Sequence, residues 1–347
     1  MARRVWVKRM VALGVSSLAV LVVAELVVRA KFGAPYPERL PLMEVRANPV
    51  RGWEMIPSSE HFTYMHKVRV NNLGLRGADV GTKAPGETRV LALGDSMIYG
   101  QGVADDDTLP FQLERALGAT AAARDWRVIN GGLRGYSTVH ELGLLQELHD
   151  RIDPDAVILF WYYNDLSTVD LAATFAKLQA SGQVVFDTGE RMEGAVLSHW
   201  KRRQWLRSSA LIMKLHDTWR DLHYKPPAED YYDQGLARVR THMQTFRELS
   251  SSLGFRPIVA VVPNYIALGK AQHPTRQINA AVLAICRELD LPCVDLSAPV
   301  DRLRQSTGKS PVIPYDGHFL GEANQAMARD LAPRVAEAAA VGGPPGK

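Results

Sequence analysis

The chain has 347 residues, 46% hydrophobic and 22% charged, with a formal net charge of +4. That balance supports a full core and excludes disordered and fibrous classes, while the length suits one large domain with additions or two domains. Lys and Arg are scattered, with local clusters such as Lys201-Arg202-Arg203 and no interleaved aromatics, so no nucleic-acid partner is expected.

At the start of the chain, Arg3, Arg4, Lys8 and Arg9 precede an apolar run from Met10 to Val28, broken by one acid, Glu25. The run approaches the roughly 20 residues that a membrane-spanning helix needs. A cleaved signal would look similar, but no convincing small-x-small cleavage site follows. Residues 1–31 are therefore expected to be an uncleaved signal anchor. The basic flank places its start in the cytoplasm and the rest of the chain outside it, as a single-pass inner-membrane protein with a periplasmic or extracytoplasmic domain. Arg29 and Lys31 just beyond the run weaken that charge asymmetry.

Residues 32–88 are expected to hold a proline-rich linker and a small β-rich element. Within them, "YMHKVRVNNLGLRG" alternates polar and apolar residues around Asn-Asn-Leu-Gly, the pattern of a short hairpin. "TKAPGET" then separates this element from the main domain, expected over 89–340.

From Arg89 the pattern becomes strand, then helix, repeated. Strands are predicted at 89–94, 127–131, 156–162, 257–263 and 293–296, and helices at 108–118, 138–150, 236–253, 275–289 and 321–340. Short apolar strands separated by helices imply a parallel sheet covered on both faces, an α/β fold. The alternation breaks over about 166–235, which reads as a helical insert, since a structureless loop of that length is unusual. Cys286 and Cys293 are the only cysteines. They either form a disulfide, if the geometry is favourable, or are two small buried hydrophobes. No Cys/His spacing suggests a zinc site.

Ligands in such sheets bind beyond the carboxyl ends of the strands. The segments there are chemically loaded: "GDS" at 94–96, "NGGLRGYST" at 130–138, "WYYNDLST" at 161–168, and "PYDGHFLGEAN" at 314–324 before the last helix. A Gly-Asp-Ser, a Gly-containing loop, an Asn-Asp and a C-terminal Asp-His in this order resemble the SGNH (GDSL-type) hydrolases, over about residues 89–335. The "VRVNNLGLRG" lead-in is similar to that of membrane-anchored or secreted bacterial members. The resemblance implies a three-layer, flavodoxin-like parallel sheet and a serine esterase without metal or organic cofactor.

It also implies roles. Serine is a poor nucleophile without an adjacent base, so His318 would take the Ser96 proton and return it to the leaving group, with Asp316 orienting the ring. The oxyanion donors implied are the backbone N–H groups of Ser96 and Gly135 and the side-chain amide of Asn164. Gly131 and Gly132 compete for the glycine role, and the family's use of the second Gly of this loop favours Gly135. Asp95 and Asp165 read as loop-holding acids. Asp221-Leu222-His223 repeats the Asp-x-His spacing, but it lies in the helical insert, where i and i+2 point to different faces. The commonest family pattern has Asp three positions before His, where this chain has Tyr315. Asp316 instead resembles the Asp-x-His form of members acting on cell-envelope and exopolysaccharide acyl groups.

The expected function is hydrolysis of O-acyl or O-acetyl esters on cell-envelope or extracellular carbohydrate. The expected partners are a small-molecule or carbohydrate ester and the membrane, through the N-terminal helix. The alternatives are an O-acyltransferase for a surface polysaccharide, a lipase or lysophospholipase, and a non-catalytic carbohydrate-binding module.

Overall fold

Apolar runs punctuated by Gly, Pro and polar turns fold into the expected alternation. The computed structural model describes residues 2–121, 124–182, 184–187, 190–192, 203–223, 230–270 and 273–340. Its first elements are α1 (Ala2–Phe32), β1 (Met43–Asn48), β2 (Gly52–Met55), β3 (Glu60–Thr63) and β4 (His66–Arg69). The central strands and their helices follow: β5 (Glu87–Gly94), α2 (Ser96–Tyr99), α3 (Leu109–Thr120), β6 (Asp125–Gly132), α4 (Thr138–Ile152) and β7 (Ala156–Trp161). Next are α5 (Leu171–Ser181), β8 (Val184–Asp187), β9 (Glu190–Met192), α6 (Ala210–Leu222) and α7 (Tyr231–Leu253). The chain closes with β10 (Arg256–Val261), α8 (Pro274–Glu288), β11 (Cys293–Asp295), α9 (Ser297–Thr307) and α10 (Gly321–Ala340).

Five of these strands form one parallel sheet in the order β11-β10-β7-β5-β6. Since β6 and β7 flank β5 on opposite sides, the direction of winding reverses there, and the crevice for a ligand opens at the carboxyl ends of β5 and β7. Alternate residues feed two cores. Leu91, Leu93, Leu159 and Trp161 pack with Leu145 of α4 and Phe246 of α7. Val90, Ala92, Ile158 and Phe160 pack with Leu113 of α3 and Leu331 of α10. Every residue of β7 is buried, and full burial of each large apolar side chain contributes about 1.5–3 kcal/mol.

The chain forms two compact units, one of Met1–Pro37, Gly194–Pro226 and Ile313–Asp316, and the other of Glu38–Glu193, Pro227–Val312 and Gly317–Lys347. The second holds the whole sheet. In the first, α1 is long and apolar enough to cross a membrane by length and composition, which is compatible with an anchor or a signal sequence. Its one acid, Glu25, caps α6: it accepts hydrogen bonds from the Ser209 hydroxyl (2.7 Å) and from the Ala210 and Leu211 amides (2.9 Å each). Arg29, one turn on, donates to Glu25 and to the Ser208 carbonyl.

Two expectations need correction. The hairpin turns at Tyr64-Met65, pairing Thr63 with His66, while Asn-Asn-Leu-Gly makes a second turn closed by the Val70–Arg76 bridge. Tyr64 takes φ +51°, which bulky residues rarely adopt and which no Gly or Asn signals. The insert is not wholly helical. Residues 183, 188–189, 193–202 and 224–229 lie outside the described residues, but β8 and β9 join the N-terminal sheet, β8 pairing with β1. A four-residue strand completed by a partner some 140 residues away, with a three-residue strand paired to it, leaves little local pattern. Of the two readings of Cys286 and Cys293 the unpaired one holds: both are free thiols, and a hydrogen bond with Cys286, then burial, push the Cys293 thiol up.

Candidate active site

β5 ends on Gly94, and the chain turns at once into the single helical turn α2 with Ser96 as its first residue. The Asp95 carboxylate accepts the Met97 N–H at 2.8 Å, capping that turn, and Gly100 ends it at φ +83°. The turn sits directly on the sheet ends. A Cβ on Gly94 would lie 2.3 Å from Ile98 Cγ1, and one on Gly132 would lie 2.1 Å from the Tyr99 amide nitrogen. Glycine is therefore needed at both positions, and the close approach leaves the Ser96 side chain partly exposed between buried neighbours.

The back of α2 is fastened by residues that sequence reasoning missed. Arg76, from "GLRG", donates to the carbonyls of Tyr99 (2.9 Å), Gly100 (2.7 Å) and Val103 (2.8 Å), and pairs with Asp105. The Tyr99 hydroxyl and His61 Nε2 share a 2.5 Å hydrogen bond. Burial first, then the Arg76 and Arg134 charges, holds His61 down to about 3, so the ring is neutral. The only sequence signal was an arginine between two glycines, in "GLRG".

The loop after β6 places Gly135 at φ +80°, a backbone conformation that side chains disfavour, although a Cβ there would meet nothing nearer than Trp53 at 3.6 Å. Gly131 and Gly132 are instead strand residues with packing roles. After β7, a 3-10 turn over Tyr163–Leu166 carries Asn164, whose Nδ2 donates to the Tyr136 carbonyl at 3.3 Å. Asp165 closes this turn: its carboxylate accepts the Thr138 N–H at 3.0 Å and the Tyr162 N–H at 2.9 Å. Burial lifts Asp95 to about 6, opposed by the Met97 N–H, the charge of His318 and a hydrogen bond from Asn164. Burial and then the Asp95 charge push the Asp165 carboxyl upward, opposed by the Tyr162 and Thr138 N–H groups that favour its charged form.

His318 comes from the segment before α10. Gly317, at φ +96°, lies against Tyr265, where a Cβ would be 2.4 Å from the ring. The Val312–Phe319 bridge and the Leu320 N–H bond to the Pro311 carbonyl (2.9 Å) fix the segment on either side. His318 Nε2 lies 2.7 Å from Ser96 Oγ, the hydroxyl donating in the tautomer that carries the ring proton on Nδ1.

The structure thus brings Ser96 and His318 together, with Gly135 and Asn164 on the loops that follow the neighbouring strands. Asp316 falls in the first unit, with its amide donating to the Ile313 carbonyl at 3.2 Å. Asp221-Leu222-His223 runs through the end of α6, and His223 hydrogen-bonds the Trp219 carbonyl. Among the described residues, no group of three or more His, Cys, Asp or Glu side chains is arranged to hold a metal.

A hydroxyl held against an imidazole at the mouth of a parallel sheet is the arrangement needed for acyl transfer. The GDSL-like Lipase/Acylhydrolase family matches residues 92–326. Similar solved structures include a lipolytic G-D-S-L family protein from Veillonella parvula, 12% identical with a TM-score of 0.40, covering 70% of this chain and 96% of that one. An acetyl xylan esterase variant from Geobacillus stearothermophilus is 14% identical with a TM-score of 0.43, covering 72% and 94%. A two-domain esterase active on acetylated mannans is 12% identical with a TM-score of 0.43, covering 75% and 52%. No curated protein sequence matches the chain.

Proposed function

The chain belongs to the GDSL-like lipase/acylhydrolase family and is a hydrolase acting on esters, and from that premise we propose that Ser96 is its nucleophile and His318 its general base. The observation that carries the reading is the 2.7 Å approach of Ser96 Oγ to His318 Nε2. In the first half-reaction Ser96 Oγ attacks the acyl carbon as its proton moves to Nε2. The tetrahedral intermediate then collapses, and the leaving alcohol takes that proton from His318. In the second, His318 removes a proton from water, hydroxide attacks the acyl-enzyme, and the acid leaves as Ser96 recovers its proton.

The oxyanion donors in this reading are the N–H groups of Ser96 and Gly135 and the amide of Asn164. The 3.3 Å contact of Asn164 with the Tyr136 carbonyl is at the long end of the hydrogen-bond range, so exchanging it for a developing oxyanion costs little. Asp316 is the orienting acid on the strength of the Asp-x-His motif. The same motif and the apolar helix α1 support O-acyl groups of envelope or extracellular carbohydrate as substrate. They also support residues 1–31 as an anchor, 32–88 as a linker with the small β element, and 89–340 as the catalytic domain outside the cytoplasm.

The test is labelling of the detergent-solubilised full chain with a fluorophosphonate. An adduct on Ser96 is expected, absent in Ser96→Ala and strongly reduced in His318→Ala. A folded wild type that takes no label at neutral pH would overturn the assignment in favour of a binding module.

A further inference from the structure

Three carboxyl groups are buried behind the Ser96 and Asn164 loops: Asp95 is 2% exposed, Asp165 1% and Glu141 0%. Two of them have backbone donors, Met97 N–H for Asp95, and Thr138 and Tyr162 N–H for Asp165. Glu141 has none. Both of its carboxyl oxygens are buried without a hydrogen-bond partner among the described residues. It stands three residues after Thr138 on α4, hence on the same helix face. Asp165 accepts the backbone N–H of Thr138 at the start of that helix, and its charge acts on Glu141.

Burial, and then the anionic charges of Asp165 and Asp95, push the Glu141 carboxyl well above the usual range. From the neighbouring elements, Arg238 of α7 donates to the Leu166 carbonyl, the charge of His318 acts on Asp95, and His140 binds the Ser137 amide. His242 of α7 is itself held neutral by burial and Arg238. Adjacent buried carboxyls cannot all ionise. The proton belongs on Glu141, because two N–H donors stabilise a charge on Asp165 and none does so on Glu141. A protonated carboxyl has one O–H donor, and a carboxylate that holds two N–H groups still has lone pairs to receive it.

We propose that Glu141 is a positioning acid, whose O–H donates to the Asp165 carboxylate and so locks the Tyr163–Leu166 turn, with Asn164, against the Ser96 loop. The inference rests on the reading of Asn164 as an oxyanion donor. Losing the proton at alkaline pH would remove the lock and add a second negative charge behind a site that must itself stabilise an oxyanion. Turnover should therefore fall on the alkaline side.

Glu141→Gln keeps a donor and cannot ionise. Its kcat should stay within roughly 3-fold of wild type at neutral pH, with the alkaline fall lost or displaced upward. Glu141→Ala should lose on the order of 10-fold or more in kcat with KM little changed, as expected when a transition-state donor is misplaced. Infrared spectra of the full chain at neutral pH should show a carboxylic-acid band that is missing in Glu141→Gln. A Gln variant that keeps the wild-type alkaline fall, or an unchanged band, would overturn the proposal, and Gln, being isosteric, decides it even if the Ala variant does not fold. Full turnover in Asn164→Ala would instead sink the oxyanion reading, while the infrared band still reports where the proton resides.

Discussion

Gly132 sets how closely the Ser96 turn approaches the sheet, so Gly132→Ala tests whether that approach is what aligns Ser96. A Cβ there would lie 2.1 Å from the Tyr99 nitrogen, 2.5 Å from the Ile98 carbonyl carbon and 2.9 Å from Ile98 Cβ. The two nearest are backbone atoms and cannot swing aside. To restore ordinary contact α2 must lift by about 1.3 Å. Ser96 is on the same four-residue turn, so its oxygen would move by a similar amount and leave hydrogen-bond range of His318, now 2.7 Å away. A misplacement of about 1 Å at a reacting atom lowers kcat by roughly 100-fold, and overpacking costs about 1–3 kcal/mol. The assay is turnover of a chromogenic acetyl ester and a thermal melt on the same preparation. Gly118→Ala in α3, where a Cβ meets nothing within 4 Å, is the control and should be neutral or slightly stabilising. Wild-type turnover with an unchanged melting temperature in Gly132→Ala would refute the reasoning.

Three further outcomes are expected. Asn164→Ala should lower kcat by about 100-fold or more with little change in KM; a lowered melting temperature with full turnover would reduce it to a turn residue. Stability should fall as pH drops from 6.5, because burial holds His61 down to about 3 and His140 down to about 4, and the unfolded chain takes up protons that these neutral rings refuse. Acid melts of His61→Asn and His140→Asn should be flatter than wild type, and an unchanged profile would mean the rings are not neutral for this reason. Expressed in a Gram-negative host, the full chain should sediment with inner membranes and keep its N-terminus, whereas a mature form starting near residue 30 would show a cleaved signal.

The sheet was legible because its strands are buried on both faces and so become nearly unbroken apolar runs, as in "AVILFW" of β7. Ser96 and His318, which the fold brings within 2.7 Å of each other, stood out because Gly-Asp-Ser follows a strand end and Asp-x-His precedes the last helix, in a recognisable order. What remained hidden depends on neighbours remote in sequence. The strand β8 takes shape against β1, and β9 against β8. Helix α9, "SAPVDRLRQST", is too polar to show an apolar stripe. The bond from the Thr138 amide of α4 to Asp165 beyond β7 needs β6 and β7 to flank β5, a strand order that no local pattern encodes. Arg76 looked like a hairpin residue, because its three acceptors are backbone carbonyls and leave no trace in side-chain identity.

The capping of α6 by Glu25 also sets a timetable. The groups that satisfy this carboxylate lie 184 to 186 residues further along the chain. At typical synthesis speeds of about 5–20 residues per second, they emerge roughly 10–40 seconds after Glu25 does. If α1 enters a bilayer as the chain is made, an acid near its C-terminal end must wait that long in surroundings hostile to an unpaired charge. Arg29 is already on the same helix, one turn away, and donates to the Glu25 carboxylate. It serves as the interim counter-charge. When Ser209, Ala210 and Leu211 arrive, Arg29 need not leave, since its other nitrogen reaches the Ser208 carbonyl. Replacing Arg29 would therefore leave the finished α6 cap largely intact while slowing or diverting its assembly.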